Sequence, residues 1–99
     1  MIRYLKENEE LSSVLGSDIT LVDFYADWCG PCKMLGTVLE GIDLDVIKVN
    51  TDVFPKLAQE FGVMSIPTVV VFKNKQEVTK FIGFRSKEEI IDIINNLQK

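Results

Sequence analysis

Val22-Asp23-Phe24-Tyr25-Ala26-Asp27-Trp28-Cys29-Gly30-Pro31-Cys32-Lys33 is the stretch that decides how this chain reads. Its first half belongs to a run from Ile19 to Ala26, rich in β-branched and aromatic residues and bounded by Asp18 and Asp27. Such a run predicts a strand buried on both faces, as in a parallel sheet. Beyond it, Leu35, Val38, Leu39 and Ile42 fall at helical spacing and predict an amphipathic helix from Cys32 to Gly41, weakened by Gly36 and Gly41. The Cys-x-x-Cys pair therefore sits where a buried strand hands over to a helix.

That placement gives the two thiols different chemistry. Cys29 falls at or just before the first helical turn, where unpaired backbone N–H groups and the positive end of the helix dipole favour a thiolate. Lys33 adds a cation, and both effects lower the pKa of such a cysteine. Cys32, one turn further in, is expected to be less exposed. Cys29 is thus the expected nucleophile toward a substrate disulfide, and Cys32 the thiol that resolves the mixed disulfide, leaving a Cys29–Cys32 bond. Pro31 suits a helix start because the N–H it lacks has no partner there. Gly30 allows a tight turn and leaves room for a partner. Trp28 offers contact surface beside the nucleophile. Three blander readings stand against this one: half of a metal site shared between subunits, a structural disulfide, or an accident of spacing. A loop this short would constrain the unfolded chain little, and Trp28 and Pro31 argue against accident.

Outward from the motif, the chain reads as β-α-β-α-β-α-β-β-α. Residues 1–5 suggest a short edge strand. The segment from Glu7 to Leu15 suggests a helix stopped by Gly16. Asp45 to Asn50 is a strand; Phe54, Leu57, Ala58 and Phe61 mark a helix with Pro55 in its first turn and Gly62 at its end. Thr68 to Phe72 is a third apolar strand, Asn74-Lys75-Gln76 a turn, and Glu77 to Ile82 its antiparallel return. Ser86 with Glu89 forms a capping box for a last helix whose face is Ile90, Ile93, Ile94 and Leu97. The expected class is α/β: a mixed central sheet of about five strands between layers of helix, four in all, with parallel crossovers up to the closing hairpin. No repeat or linker is visible, so residues 1–99 are expected to form one domain.

Composition narrows the function. The chain has 2 cysteines and no histidine, which excludes imidazole chemistry and a zinc site made from its own thiolates and imidazoles. A net charge of −4 disfavours nucleic acid and anionic membrane as partners. No apolar run approaches the ~20 residues of a membrane span, and residues 1–7 lack the apolar core of a signal peptide. The expected compartment is the cytoplasm, where a Cys-x-x-Cys pair reads as redox-active rather than structural.

Other residues stand out with two readings each. Asp23 interrupts an apolar strand. It is either a proton acceptor behind Cys32 or a structural carboxylate, and burial would raise its pKa in both cases. Lys48 is either its charge partner or a solvated lysine. Pro67 opens a buried strand, and most X–Pro bonds are trans. Tyr25, Phe72, Phe81 and the other aromatics are expected in the core, with Met34 and Met64 as packing residues. Glu7, Glu9 and Glu10 are expected on a solvated helix face.

Val22 to Lys33 resembles the signature of the thioredoxin family. Lys48 with Asn50 and Asp52, Ile66-Pro67-Thr68, Phe72-Lys73-Asn74, and Gly83 with Ser86-Lys87 resemble further family segments in order along nearly the whole chain. The resemblance implies a thioredoxin fold and a protein disulfide reductase with no bound cofactor beyond its redox-active cysteine pair. Cys29 and Cys32 would carry the redox step, Asp23 would be the buried proton acceptor, and Lys48 its neighbour. Pro67 would be cis and face the cysteines. Trp28, Gly30, Pro31, Ile66, Pro67 and Gly83 would bind substrate, with Trp28, Ile66 and Gly83 on the rim. The implied partners are disulfide-containing proteins and a flavin-dependent, NADPH-linked thioredoxin reductase, with the chain acting as a monomer. A thiol oxidase or isomerase, and a non-catalytic binding module, are the alternatives; the Gly-Pro pair between the cysteines resembles reducing members. The chain departs from the family in a shorter segment between Cys32 and Lys48, in Gly36-Thr37 where a proline is usual, which predicts a helix without a kink, and in a turn at Asn74-Lys75 without glycine.

Overall fold

A computed structural model describes residues 1–98. The elements are β1 (Ile2–Tyr4), α1 (Leu11–Val14), β2 (Thr20–Tyr25), α2 (Gly30–Glu40), β3 (Asp45–Asn50), α3 (Pro55–Glu60), β4 (Thr68–Lys73), β5 (Gln76–Ile82) and α4 (Lys87–Leu97). The order matches the sequence reading, and the strands form one sheet in the order β1-β3-β2-β4-β5.

Side-chain alternation along the strands divides the core in two. Leu21, Val46, Val69 and Val71 face Leu35 and Leu39 of α2 and Ile90 and Ile94 of α4. Val22, Phe24, Ile47, Val49 and Val70 face Leu11 of α1 and Ala58 of α3 on the other side. Both faces of the sheet are therefore apolar, which is why β2 and β4 read as continuous hydrophobic runs.

One feature of the topology corrects the sequence reading. β2 pairs parallel with β3 but antiparallel with β4, so the sheet is mixed before the closing hairpin. The reason is length. A six-residue strand such as β3 spans about 20 Å and a six-residue helix such as α3 only about 9 Å. α3 covers less than half the length of the strand it follows, and β4 starts at the end where β3 finishes. Consequently the ends of β2 and β3, the start of β4 and the end of β5 share one edge of the molecule.

α1 is shorter than the sequence suggested. Glu9 is held in a turn by its ion pair with Arg3 and by the backbone N–H of Lys6, which donates to Glu9 Oε1 at 2.8 Å. Glu9 is thus a tied residue ahead of the helix and not part of a solvated helical face. α2 starts earlier than expected, at Gly30, and continues unbroken through Gly36-Thr37 to Glu40. Asn74 and Lys75 both have positive φ, 53° and 66°, which supplies the tight β4–β5 turn without glycine.

Candidate functional site

The strand–helix junction holds the cysteines. Cys29 is the N-cap of α2, with extended backbone, and Pro31 occupies the first turn. The N–H of Cys32, one of the helix's otherwise unpaired donors, points at Cys29 Sγ over 3.2 Å. The two sulfurs form a disulfide across Cα atoms 5.2 Å apart. Once the bond is reduced, the same N–H and the helix dipole favour negative charge on Cys29.

Neither sulfur is well exposed. Cys29 retains 5% of its surface and Cys32 2%, so Cys32 is the less exposed of the two as expected, but the nucleophile is itself recessed. Direction, more than area, separates the pair. Cys29 borders a groove of about 580 Å³ whose walls include Trp28, Pro31, Thr51, Met64 and Ile66. Cys32 is not on that wall and packs with Ala26.

The opposite wall comes from the segment before β4. Ile66-Pro67 is a cis peptide, as the resemblance implied, and the Ile66 carbonyl oxygen stands 3.9 Å from Cys29 Sγ. Pro67 is buried behind that wall, and its carbonyl accepts the N–H of Gly83 at 2.8 Å. Gly83 has φ +84°, a conformation that favours glycine, but it does not line the groove. The expected rim is thus borne by Trp28 and Ile66, with Gly83 one layer removed. Gly30 adopts no left-handed backbone, so a tight turn is not its role; a Cβ there would meet nothing within 4 Å.

Trp28 is 72% exposed, and its indole N–H donates to Asp52 Oδ2 at 2.9 Å. Asp52 is itself placed by its N–H bonding Asn50 Oδ1 at 2.9 Å. Sequence reasoning gave Asp52 no role. Its signal was positional: it follows β3, which runs parallel to β2 and ends beside the motif. Met64, expected to pack, is 94% exposed on the groove wall, and Met34, Tyr4 and Phe84 also lie largely outside the core. Tyr25 is only half-buried, its ring beside Lys48.

Beneath α2 lies a buried charge. Asp23 has no exposed surface and pairs in register with Lys48 on β3. Alternation places it on the Leu21 face of the sheet, the side α2 covers. Lys48 Nζ is 3.5 Å from Asp23 Oδ2, and neither carboxylate oxygen finds a hydrogen bond among the described residues. Burial pushes the Asp23 carboxyl up to about 6, offset in part by the Lys48 ammonium. The charge-partner reading of Lys48 holds; its side chain is only 12% exposed. Among the described residues, no cluster of three or more His, Cys, Asp or Glu is placed to hold a metal ion, and no helix is long and apolar enough to cross a membrane.

A recessed cysteine pair joined as a disulfide at a helix start, a cis-proline wall and a buried carboxylate beneath the helix suit thiol–disulfide exchange. Comparison with known families agrees, since the thioredoxin family model matches residues 3–96. The chain belongs to the thioredoxin family. A thioredoxin from Chlamydia caviae is 42% identical over 92 residues, covering 88% of this chain and 90% of the relative. One from Staphylococcus aureus is 41% identical, covering 87% and 88%. Among solved structures, a mutant thioredoxin from Halobacterium salinarum superposes with a TM-score of 0.87 at 36% identity, over 96% of this chain and 88% of that one. With its redox-active cysteine pair in place, the chain is a thiol–disulfide oxidoreductase of this family, with protein disulfide reductase function.

Proposed function

We propose that the chain reduces disulfides in proteins by a two-step exchange in which Cys29 attacks and Cys32 resolves. The observation that carries this assignment is the different orientation of the two sulfurs: Cys29 borders the groove, and Cys32 does not. In the first step the Cys29 thiolate attacks one sulfur of the substrate disulfide. A Cys29–substrate disulfide forms and the other substrate sulfur leaves as a thiolate. In the second, Cys32 gives up its proton and attacks Cys29 Sγ. The Cys29–Cys32 bond closes, and the second substrate thiol departs reduced.

Asp23 takes the proton of Cys32 in that second step. A carboxyl with its midpoint near 6 is mostly ionised at neutral pH, yet binds a proton far more readily than an ordinary aspartate, which suits a general base. Lys48 keeps enough of it ionised to accept. Trp28, Gly30, Pro31 and Ile66 contact the substrate, with the Ile66 backbone bonding an extended segment and Pro67 and Gly83 supporting it from behind. The dithiol needs no bound cofactor. A flavin-dependent, NADPH-linked thioredoxin reductase returns it to the reduced state. The cytoplasm is the matching compartment, and a monomer suffices because one chain carries every group named.

Insulin reduction tests the reading. The reduced protein, regenerated by a dithiol, is expected to cleave insulin disulfides catalytically, and Cys29→Ser to lose that activity. Retained turnover in Cys29→Ser would overturn the assignment.

A further inference from the structure

Gly36 lies in the middle of α2, where glycine costs helix stability and no turn or left-handed backbone calls for it. A Cβ built at this position would stand 3.1 Å from Lys48 Nζ, closer than such atoms ordinarily approach. The ammonium is confined on its other sides as well. Asp23 Oδ2 is 3.5 Å away, the Tyr25 ring centroid 4.7 Å and the Tyr4 ring centroid 5.8 Å, both within cation–π range. We propose that Gly36 is a positioning residue, whose missing side chain lets α2 lie directly over the Lys48 ammonium and so keeps that charge against Asp23.

The direction of the effect follows from the packing. Attraction already draws Lys48 toward Asp23, yet the pair stops at 3.5 Å, beyond the about 2.7–2.9 Å of a charge-assisted hydrogen bond. Asp23 is fully buried, whereas the Lys48 side chain keeps 12% of its exposure, so the room to yield lies on the solvent side of the lysine and not on the carboxylate side. A methyl group at position 36 therefore drives the ammonium outward, away from the carboxylate. The charged group beside Asp23 is Lys48 from β3, and the titratable groups around that ammonium are Tyr25 on the strand of Asp23 and Tyr4 on β1. A retreat of about half an ångström weakens the attraction enough to raise the carboxyl midpoint by about half a pH unit at an effective dielectric of about 20.

This inference rests on the proposed role of Asp23 only where turnover is concerned, and two readouts keep them apart. The Asp23 side-chain carboxyl is titrated by carbon-13 NMR in the oxidised protein for wild type, Gly36→Ala, Lys48→Met and the double variant. The expected result is an upward shift of about half a unit in Gly36→Ala and no additional shift on adding Gly36→Ala to Lys48→Met. A midpoint unchanged in Gly36→Ala, or the same added shift without Lys48, overturns the proposal. A glycine that merely softens the helix would change the melting temperature and leave the titration where it was. Insulin turnover against pH is the second readout. If the titration moves and the turnover profile does not follow it, Gly36 still positions Lys48 while Asp23 loses its part in the reaction.

Discussion

At the scale of single residues, the buried carboxylate is where structure and chemistry conflict most. Asp23 is apolar in its surroundings and ionisable by nature. Its folded midpoint, about 6, lies above the value of 3.8 for a free side chain, so between these pH values the folded state holds more proton than the unfolded one. Stability is therefore greatest below about pH 4 as far as this group is concerned. It is lost as pH rises through about 6, by on the order of 3 kcal/mol at most. Asp23→Ala is expected to remove that slope from denaturant-measured stability between pH 4 and 8. The same variant should slow insulin turnover at least about tenfold while sparing the first attack by Cys29. Trp28 offers a second check. Asp52→Ala removes the acceptor of the indole N–H, and an altered tryptophan emission with weaker substrate binding is the expected outcome. Asp23 was legible as unusual because a charge in an apolar strand is visible in sequence. Asp52 was not, because its contact depends on which strand lies beside the motif.

At the scale of elements, local signals were read well where they are self-contained. The capping box at the start of α4 is complete: Ser86 Oγ accepts the Glu89 N–H at 3.2 Å and Glu89 Oε1 accepts the Ser86 N–H at 3.0 Å. Ser86→Ala should cost about 1 kcal/mol and lower the melting temperature by about 4–8 °C, measurable by calorimetry. The β4–β5 turn carries a cost that sequence also hinted at. Lys75 adopts φ 66°, where a Cβ is disfavoured by about 1 kcal/mol, so Lys75→Gly should raise stability slightly despite added freedom in the unfolded chain. The first helix was misjudged because its forecast rested on apolar spacing and a glycine stop, with no signal for where it starts. The tie from Arg3 and Lys6 to Glu9 uses that segment for a turn. Exposed Met64 was misjudged for a related reason: side-chain type says little about burial in a segment with no periodicity.

At the scale of the whole molecule, the alternation of strands and helices revealed the element order and the layers, whereas strand direction depended on helix length. The short α3 returns the chain to the edge it left, and that return brings Ile66-Pro67 to the cysteines. The site is therefore a product of topology: four segments distant in sequence meet because β2, β3, β4 and β5 begin or end together. The resemblance supplied the cis proline in advance, which the residues alone did not. Family membership leaves one claim to be tested directly, the division of labour between the two sulfurs. A trapping measurement does this: Cys32→Ser and Cys29→Ser are each mixed with a disulfide-bonded protein substrate, and covalent adducts are quantified by mass spectrometry. A stable adduct through Cys29 in Cys32→Ser, with little through Cys32 in Cys29→Ser, is the expected result; adducts forming equally fast through Cys32 would contradict it.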